Sequence, residues 1–231
     1  MAAKKHSEEE EVIVDVVGNY NKIEQFIEHN KNTITYIIGG LAIVIGGYFA
    51  YTNLYLKPLE EEASNEMWKA QQYFVVDSLD KALAGDGNYL GFEDIADQYG
   101  ATKAGKLANF YIGLIYKKKG EYDAAIDYLS DFNSSDVLVS AAAIGVTGDC
   151  YSELGDDEEA MNHYIKAARK NANEFSTPIF LMKAGKAAER IGDYKKAVSL
   201  YEELSNDYGN SQEGREVEKY LFRAKTLAEA K

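Results

Sequence analysis

Cysteine is nearly missing from this sequence, which holds Cys150 and no other among its 231 residues. One thiol excludes an intramolecular disulfide and offers no lipid-bearing cysteine near the start, while leaving the redox compartment open. Prolines are two, Pro58 and Pro178, and there is no long Ser/Gly run, so little room exists for disordered linkers. The three histidines, His6, His29 and His163, stand apart, none beside a cysteine or acidic cluster at metal-ligand spacing. No phosphate-binding loop, dinucleotide glycine pattern or nucleophile elbow occurs. The sequence therefore nominates no catalytic residue, cofactor, metal site or small-molecule substrate, and an enzyme is the weakest functional class. Positive charge is also short. Lys and Arg number 25 against 38 acids, for a net charge of −13. That balance disfavours nucleic acid as a partner, because such binding needs clustered cations to displace counterions.

One absence organises the chain. Between Lys31 and Lys57 there is no charged residue, and Ile34–Ala50 is almost wholly apolar or glycine. At about 1.5 Å per residue, 20 to 25 residues cover a hydrocarbon core of roughly 30 Å. Thr33–Leu56 therefore reads as one transmembrane helix, with Tyr36, Tyr48, Tyr51 and Tyr55 toward its ends, where headgroups favour amphipathic rings. A cleaved signal peptide is not expected, since 32 residues precede the apolar run and tyrosines and Asn53 stand where small residues should be. Gly39, Ala42, Gly46 and Ala50 form a small-residue stripe that reads either as a helix-packing face or as ordinary membrane-helix glycine usage. Flanking cations tie, Lys22 and Lys31 against Lys57 and Lys69, so charge does not orient the anchor.

The anchor divides the chain into an acidic tail (1–32), the span (33–56) and a body (57–231). The tail carries −3 and the body −10. Residues 1–11 read as a disordered charged end. Val12, Val16, Tyr20, Ile23 and Ile27 then recur at helical spacing. This predicts an amphipathic helix, lying on the membrane surface or docking a protein partner; it lacks the Lys/Arg-rich face of lipid-seeking helices.

The body repeats. Turns at Gly120, Gly155 and Gly192 are 35 and 37 residues apart, and each is followed by an acid, Glu121, Asp156 or Asp193. Seven residues earlier stand Gly113, Gly148 and Gly185; five later, Ala125, Ala160 and Ala197; four beyond, Leu129, Tyr164 and Tyr201. The register predicts helical hairpins. Small residues sit where two helices cross, the turn glycine ends the first helix in the left-handed conformation, and the acid favours the next helix's start. The large residues would fill the space between successive hairpins. Hairpins are expected at about 60–100, 105–133, 138–172 and 178–207. In the first, Glu60–Ala84 reads as one long helix and Tyr89–Tyr99 as its return; a cap covers 212–230, with Glu213–Ala230 as a single helix. Tyr99–Gly105 and Tyr208–Gly214 echo each other, with Thr102 and Ser211 as caps. Within this register Cys150 reads as a packing residue, and Asp156–Glu159 as a helix start rather than a calcium site.

These glycine, alanine and aromatic positions resemble the tetratricopeptide repeat, without that family's tryptophan near the start of the first helix and without most of its prolines. The resemblance implies an all-α fold: a single N-terminal transmembrane helix followed by a TPR-like α-solenoid with a C-terminal capping helix. It also implies a partner-binding groove lined by the first helices. That lining is Phe110, Leu114, Lys117, Ala142, Gly145, Asp149, Ser152, Ile179, Met182, Lys186 and Glu189. Of the places that grip a chaperone's C-terminal carboxylate in some family members, only Lys183 fits. The layout, with Gln25–Lys31 as membrane approach, is similar to the YfgM-type ancillary subunits of the SecYEG translocon. That likeness implies a single-pass protein of the bacterial inner membrane, its N-terminus cytoplasmic and its repeats periplasmic. Its partners would be a SecYEG-like translocon, periplasmic chaperones or other envelope proteins.

Overall fold

The computed structural model describes the backbone of residues 2–130, 132, 134 and 136–230, and side chains from Glu24 onward except Val137. It divides into two units, Met1–Lys57 and Pro58–Lys231. Every regular element among the described residues is helical.

The first unit is helix α1, Ala2–Ala50, continued by a π-helical segment, Tyr51–Leu56. The charged end expected to be disordered is thus part of the helix. Alanine, lysine and glutamate, which fill it, are good helix formers. The amphipathic face of Val12, Val16, Tyr20 and Ile23 lies outside the described side chains. One helical stretch among the described residues, Glu24–Val75, is long and apolar enough to cross a membrane. Its polar side chains turn back on their own backbone: Thr35 donates to the Lys31 carbonyl, Thr52 to that of Tyr48, and Asn53 to that of Phe49. Such local bonds are what an apolar surround demands of hydroxyl and amide groups. A Cβ built on Gly39 or Gly46 meets nothing, so that stripe faces open space.

The second unit opens with α2, Lys57–Val75. The single helix expected to Ala84 is broken after Val75. Asp77 takes a positive φ of 59°, the Asp77 and Ser78 amides close onto Phe74 and Tyr73, and a short α3 follows at Leu79–Ala84. Aspartate tolerates the left-handed region better than most residues, which lets the chain turn without glycine. The return helix α4 is Phe92–Tyr99, beginning three residues later than expected. Phe92 and Ile95 are fully buried against α2 and α5 residues, among them Ala63, Ala70 and Ala108.

Three regular hairpins follow: α5 (Lys103–Lys119) with α6 (Tyr122–Ser130), α7 (Val137–Glu153) with α8 (Asp157–Lys170), and α9 (Thr177–Arg190) with α10 (Tyr194–Asp207). Gly120, Gly155 and Gly192 take φ of 78°, 83° and 76°. The amide of each turn glycine and of the residue after it bonds back to the last turn of the first helix. This is the left-handed closure glycine permits without a Cβ penalty. Asp156 and Asp193 then cap the second helices by accepting from the Glu159 and Lys196 amides.

The inner glycines receive the large residue of their own second helix, rather than leaving it to fill the space between hairpins. A Cβ on Gly113 would come within 2.6 Å of Leu129, on Gly148 within 2.9 Å of the Tyr164 ring, and on Gly185 within 2.2 Å of the Tyr201 ring. Three residues after the first two glycines, Tyr116 stacks on Tyr128 with ring centroids 5.6 Å apart, and Tyr151 lies tilted against His163 at 4.9 Å. His163 is therefore a packing residue. The echoing segments close alike: Thr102 accepts from Gly105 and donates to the Tyr99 carbonyl, and Ser211 does the same with Gly214 and Tyr208. The C-terminal cap is α11 (Gln212–Glu216) and α12 (Glu218–Glu229), two pieces divided at Val217 where one helix was expected.

Gly185→Ala should destabilise the body by about 1–3 kcal/mol, since its methyl must displace the buried Tyr201 ring. Gly46→Ala, with open space around it, should leave the unfolding midpoint of the body unchanged. Denaturant melts of the two variants followed by circular dichroism check the contrast; equal midpoints would refute it.

Candidate functional site

The first helices α5, α7 and α9 are joined side to side by a carboxylate. Asp149 on α7 accepts from Lys117 on α5 and Lys183 on α9, each at 2.7 Å, and from the Tyr164 hydroxyl at 2.8 Å. Its side chain is only 19% exposed. Burial acts most strongly on Asp149 and pushes its pKa up, yet the hydrogen bonds and charges of Lys117 and Lys183 together hold it below the usual value. Burial, then the Asp149 charge, raises the Tyr164 hydroxyl, which stays protonated as the donor this geometry requires.

The expected lining residues take different places. Lys117 and Asp149 belong to this bridge. Phe110 and Leu114 are half-buried on α5, with the Phe110 ring 5.4 Å from that of Phe132. Ala142 and Ile179 are also half-buried, whereas Gly145 is covered by the Phe180 ring. Ser152 accepts from Arg190, which also pairs with Asp157 at the start of α8. Met182 is 6% exposed and belongs to the core shared by α8, α9 and α10. Lys186 and Glu189 lie against the cap: the ammonium is 4.8 Å from the Tyr220 ring, and the carboxylate is held by Arg223 and by the Tyr201 hydroxyl. Spacing within the repeats carries no sign of Tyr220 or Arg223, because both reside on the irregular last helix.

At the beginning of α5 and α7 there is a cleft of about 760 Å³ lined by Lys103, Lys106, Leu107, Phe132, Ser134, Asp136 and Val139. Asp136 is already used, capping α7 by accepting from the Leu138 and Val139 amides. Among the described residues no group of His, Cys, Asp or Glu could hold a metal ion. Cys150 is fully buried and burial pushes its thiol up to about 11.

Fold and site together define an array of stacked helical hairpins. Residues 180–211 match one family model described as tetratricopeptide repeat, and residues 108–132 and 143–173 match a second so described. The TPR repeat-containing protein MJ1428 of Methanocaldococcus jannaschii is 28% identical over 166 residues, covering 69% of this chain and 26% of that protein. The chain thus spans about a quarter of that relative's length. MamA is similar in structure with a TM-score of 0.51 at 18% identity, over 73% of this chain and 93% of its own. The nearly identical TPR-like repeats of a Podospora anserina kinesin-light-chain-type protein align with a TM-score of 0.54 at 13% identity, over 74% of this chain and 89% of theirs. The three regular hairpins of this chain thus match the tetratricopeptide repeat, and these solved structures share its stacked-hairpin fold.

Asp149→Asn should cost about 1–3 kcal/mol, because two half-buried lysines and a buried tyrosine lose the charge they share. Asp149's folded pKa is depressed, so its stabilisation is complete above the ordinary carboxylate range and is lost as pH falls through the folded value. Urea melts between pH 7 and pH 2 should accordingly show the wild type converging on the variant at the acid end, and parallel curves would disprove the assignment. Cys150 should resist maleimide at pH 8 in the folded protein and react once denaturant opens the body; rapid labelling without denaturant would contradict its burial.

Proposed function

We propose that this protein is a non-catalytic, membrane-anchored tetratricopeptide-repeat adaptor, an ancillary subunit of a SecYEG-like translocon that links emerging polypeptides to periplasmic chaperones. The observation carrying the reading is the combination, on one chain, of a charge-free span at Thr33–Leu56 with a repeat array whose first helices keep half-buried apolar and charged groups on one face. The anchor supplies residence at the membrane. The face formed by Phe110, Leu114, Lys117, Asp149, Ser152 and Ile179 supplies the contact, while Lys186 and Glu189 reach it at the edge of the cap. The sequence layout resembling the translocon's ancillary subunits supports the choice of machine, and by that resemblance the tail would be cytoplasmic and the repeats periplasmic.

Mild-detergent purification through a C-terminal tag at native expression, followed by proteomics, tests this. Translocon channel subunits should be enriched together with periplasmic chaperones. Another envelope complex in their place would make the protein that machine's scaffold. A body left intact by protease added outside spheroplasts would make it a cytosol-facing receptor instead.

A further inference from the structure

Charge is unevenly divided between the two layers of the hairpins. The first helices α5, α7 and α9 hold eight Lys/Arg against three acids, and the second helices α6, α8 and α10 hold five against eight. The body as a whole is strongly acidic, so this layer is a cationic exception. Most of its cations are spoken for: Lys118 and Lys119 by Asp77 and Asp80, Arg190 by Asp157, and Lys117 and Lys183 by the single Asp149. Lys103 and Lys106 form no ion pair among the described residues, and both line the cleft with Leu107, Phe132, Ser134, Val139 and Asp136, whose carboxylate is taken up by the Leu138 and Val139 amides.

The spacing along α5 gives this surplus a shape. Lys103, Leu107, Phe110, Leu114 and Lys117 fall at intervals of four and three, one face of a helix. Leu107, Phe110 and Leu114 are half-buried, leaving an apolar strip with a cation at each end. At the far end the lysine pair around one carboxylate still leaves a net positive charge. Fourteen residues of helix span about 21 Å, the length of about six residues of extended chain at roughly 3.3 Å each.

We propose that the α5 strip and the cleft at its start bind an extended peptide of about six or seven residues, apolar in the middle and acidic at both ends. The proposal rests on the adaptor reading and specifies the chemistry of its partner. Charge complementarity selects the acids, and the half-buried Leu107, Phe110 and Leu114 select the apolar centre. A polyanion would leave the exposed parts of those three groups uncovered.

The test uses the full chain in nanodiscs of neutral lipid and fluorescence anisotropy. The probe is fluorescein-labelled Glu-Asp-Leu-Phe-Leu-Asp-Glu, with empty nanodiscs as the blank. It should bind at least tenfold more tightly than Lys-Lys-Leu-Phe-Leu-Lys-Lys and than Glu-Asp-Ser-Gly-Ser-Asp-Glu, and raising salt should weaken it. Lys103→Glu with Lys106→Glu should lower affinity at least tenfold, and Lys195→Glu on α10 should not. If the double reversal unfolds the body, Lys103→Gln with Lys106→Gln carries the same expectation with a smaller loss. Equal affinity for the basic peptide, or indifference to the Lys103 and Lys106 substitutions, overturns the proposal. So does capture of phosphatidylglycerol vesicles through these lysines with no probe bound. Translocon subunits that co-purify with a chain unable to bind the probe would sink the peptide chemistry and leave the adaptor standing. Probe binding without those subunits would do the reverse.

Discussion

Each hairpin depends on a large side chain lying directly on bare backbone. Leu129, Tyr164 and Tyr201 rest where Gly113, Gly148 and Gly185 have no Cβ, and any methyl there would overlap them. Interiors packed at crystal-like density have no slack to absorb such an overlap. The contact fixes the crossing of the two helices, and that crossing places Ala125, Ala160 and Ala197 at full burial one turn earlier. The two tyrosines do a second thing that Leu129 does not. Their hydroxyls reach through to the first-helix layer and donate to Asp149 and Glu189, so the steric seat of a hairpin also positions the carboxylates of its neighbour-facing surface.

Those carboxylates join one hairpin to the next. Asp149 ties α7 to both flanking first helices, Arg190 bridges α9 to Asp157 and Ser152, and Arg223 ties the cap to Glu189. Bridges of this exposure contribute modestly to stability, and geometry is their larger effect. A carboxylate shared by two lysines has few ways to be satisfied, so it sets the lateral register of helices whose apolar contacts alone would tolerate sliding.

The fold was legible where the constraint is local. A turn needing positive φ, a crossing needing no Cβ, and a hydroxyl three residues ahead of a glycine amide each leave a residue type at a fixed spacing. The hairpin turns and the two echoing caps could therefore be read from the sequence. The break at Val76–Ser78 was not legible, because aspartate occupies a position that glycine usually marks. The direction of Leu129, Tyr164 and Tyr201 was misread as inter-hairpin for a related reason: spacing shows that a large group alternates with a small one, not which helix it meets. On the first helices, Lys117 and Asp149 share one bridge, but helical spacing alone cannot tell that Met182 is buried in the core with α8 and α10 residues. Nor can it tell that Glu189 is held by Arg223 on a helix outside the repeat.

The three hairpins are not equally joined, and this bears on where a partner can act. The joint between α8 and α9 lies inside the large core running from Ala141 to Ala224. The joint between α6 and α7 has a smaller one, built on Ala125, Leu129, Ala143 and Cys150. Helix α6 is also the shortest helix of the three regular hairpins, nine residues, and has the least length over which to pack. In a linear repeat array stability is a sum of unit and nearest-neighbour terms, so the weakest joint opens first. The apolar strip of α5 and the cleft beside Val139 border that joint. A ligand seated there touches both sides of the place where the array has least holding it together, so its binding energy adds to the smallest of the interface terms.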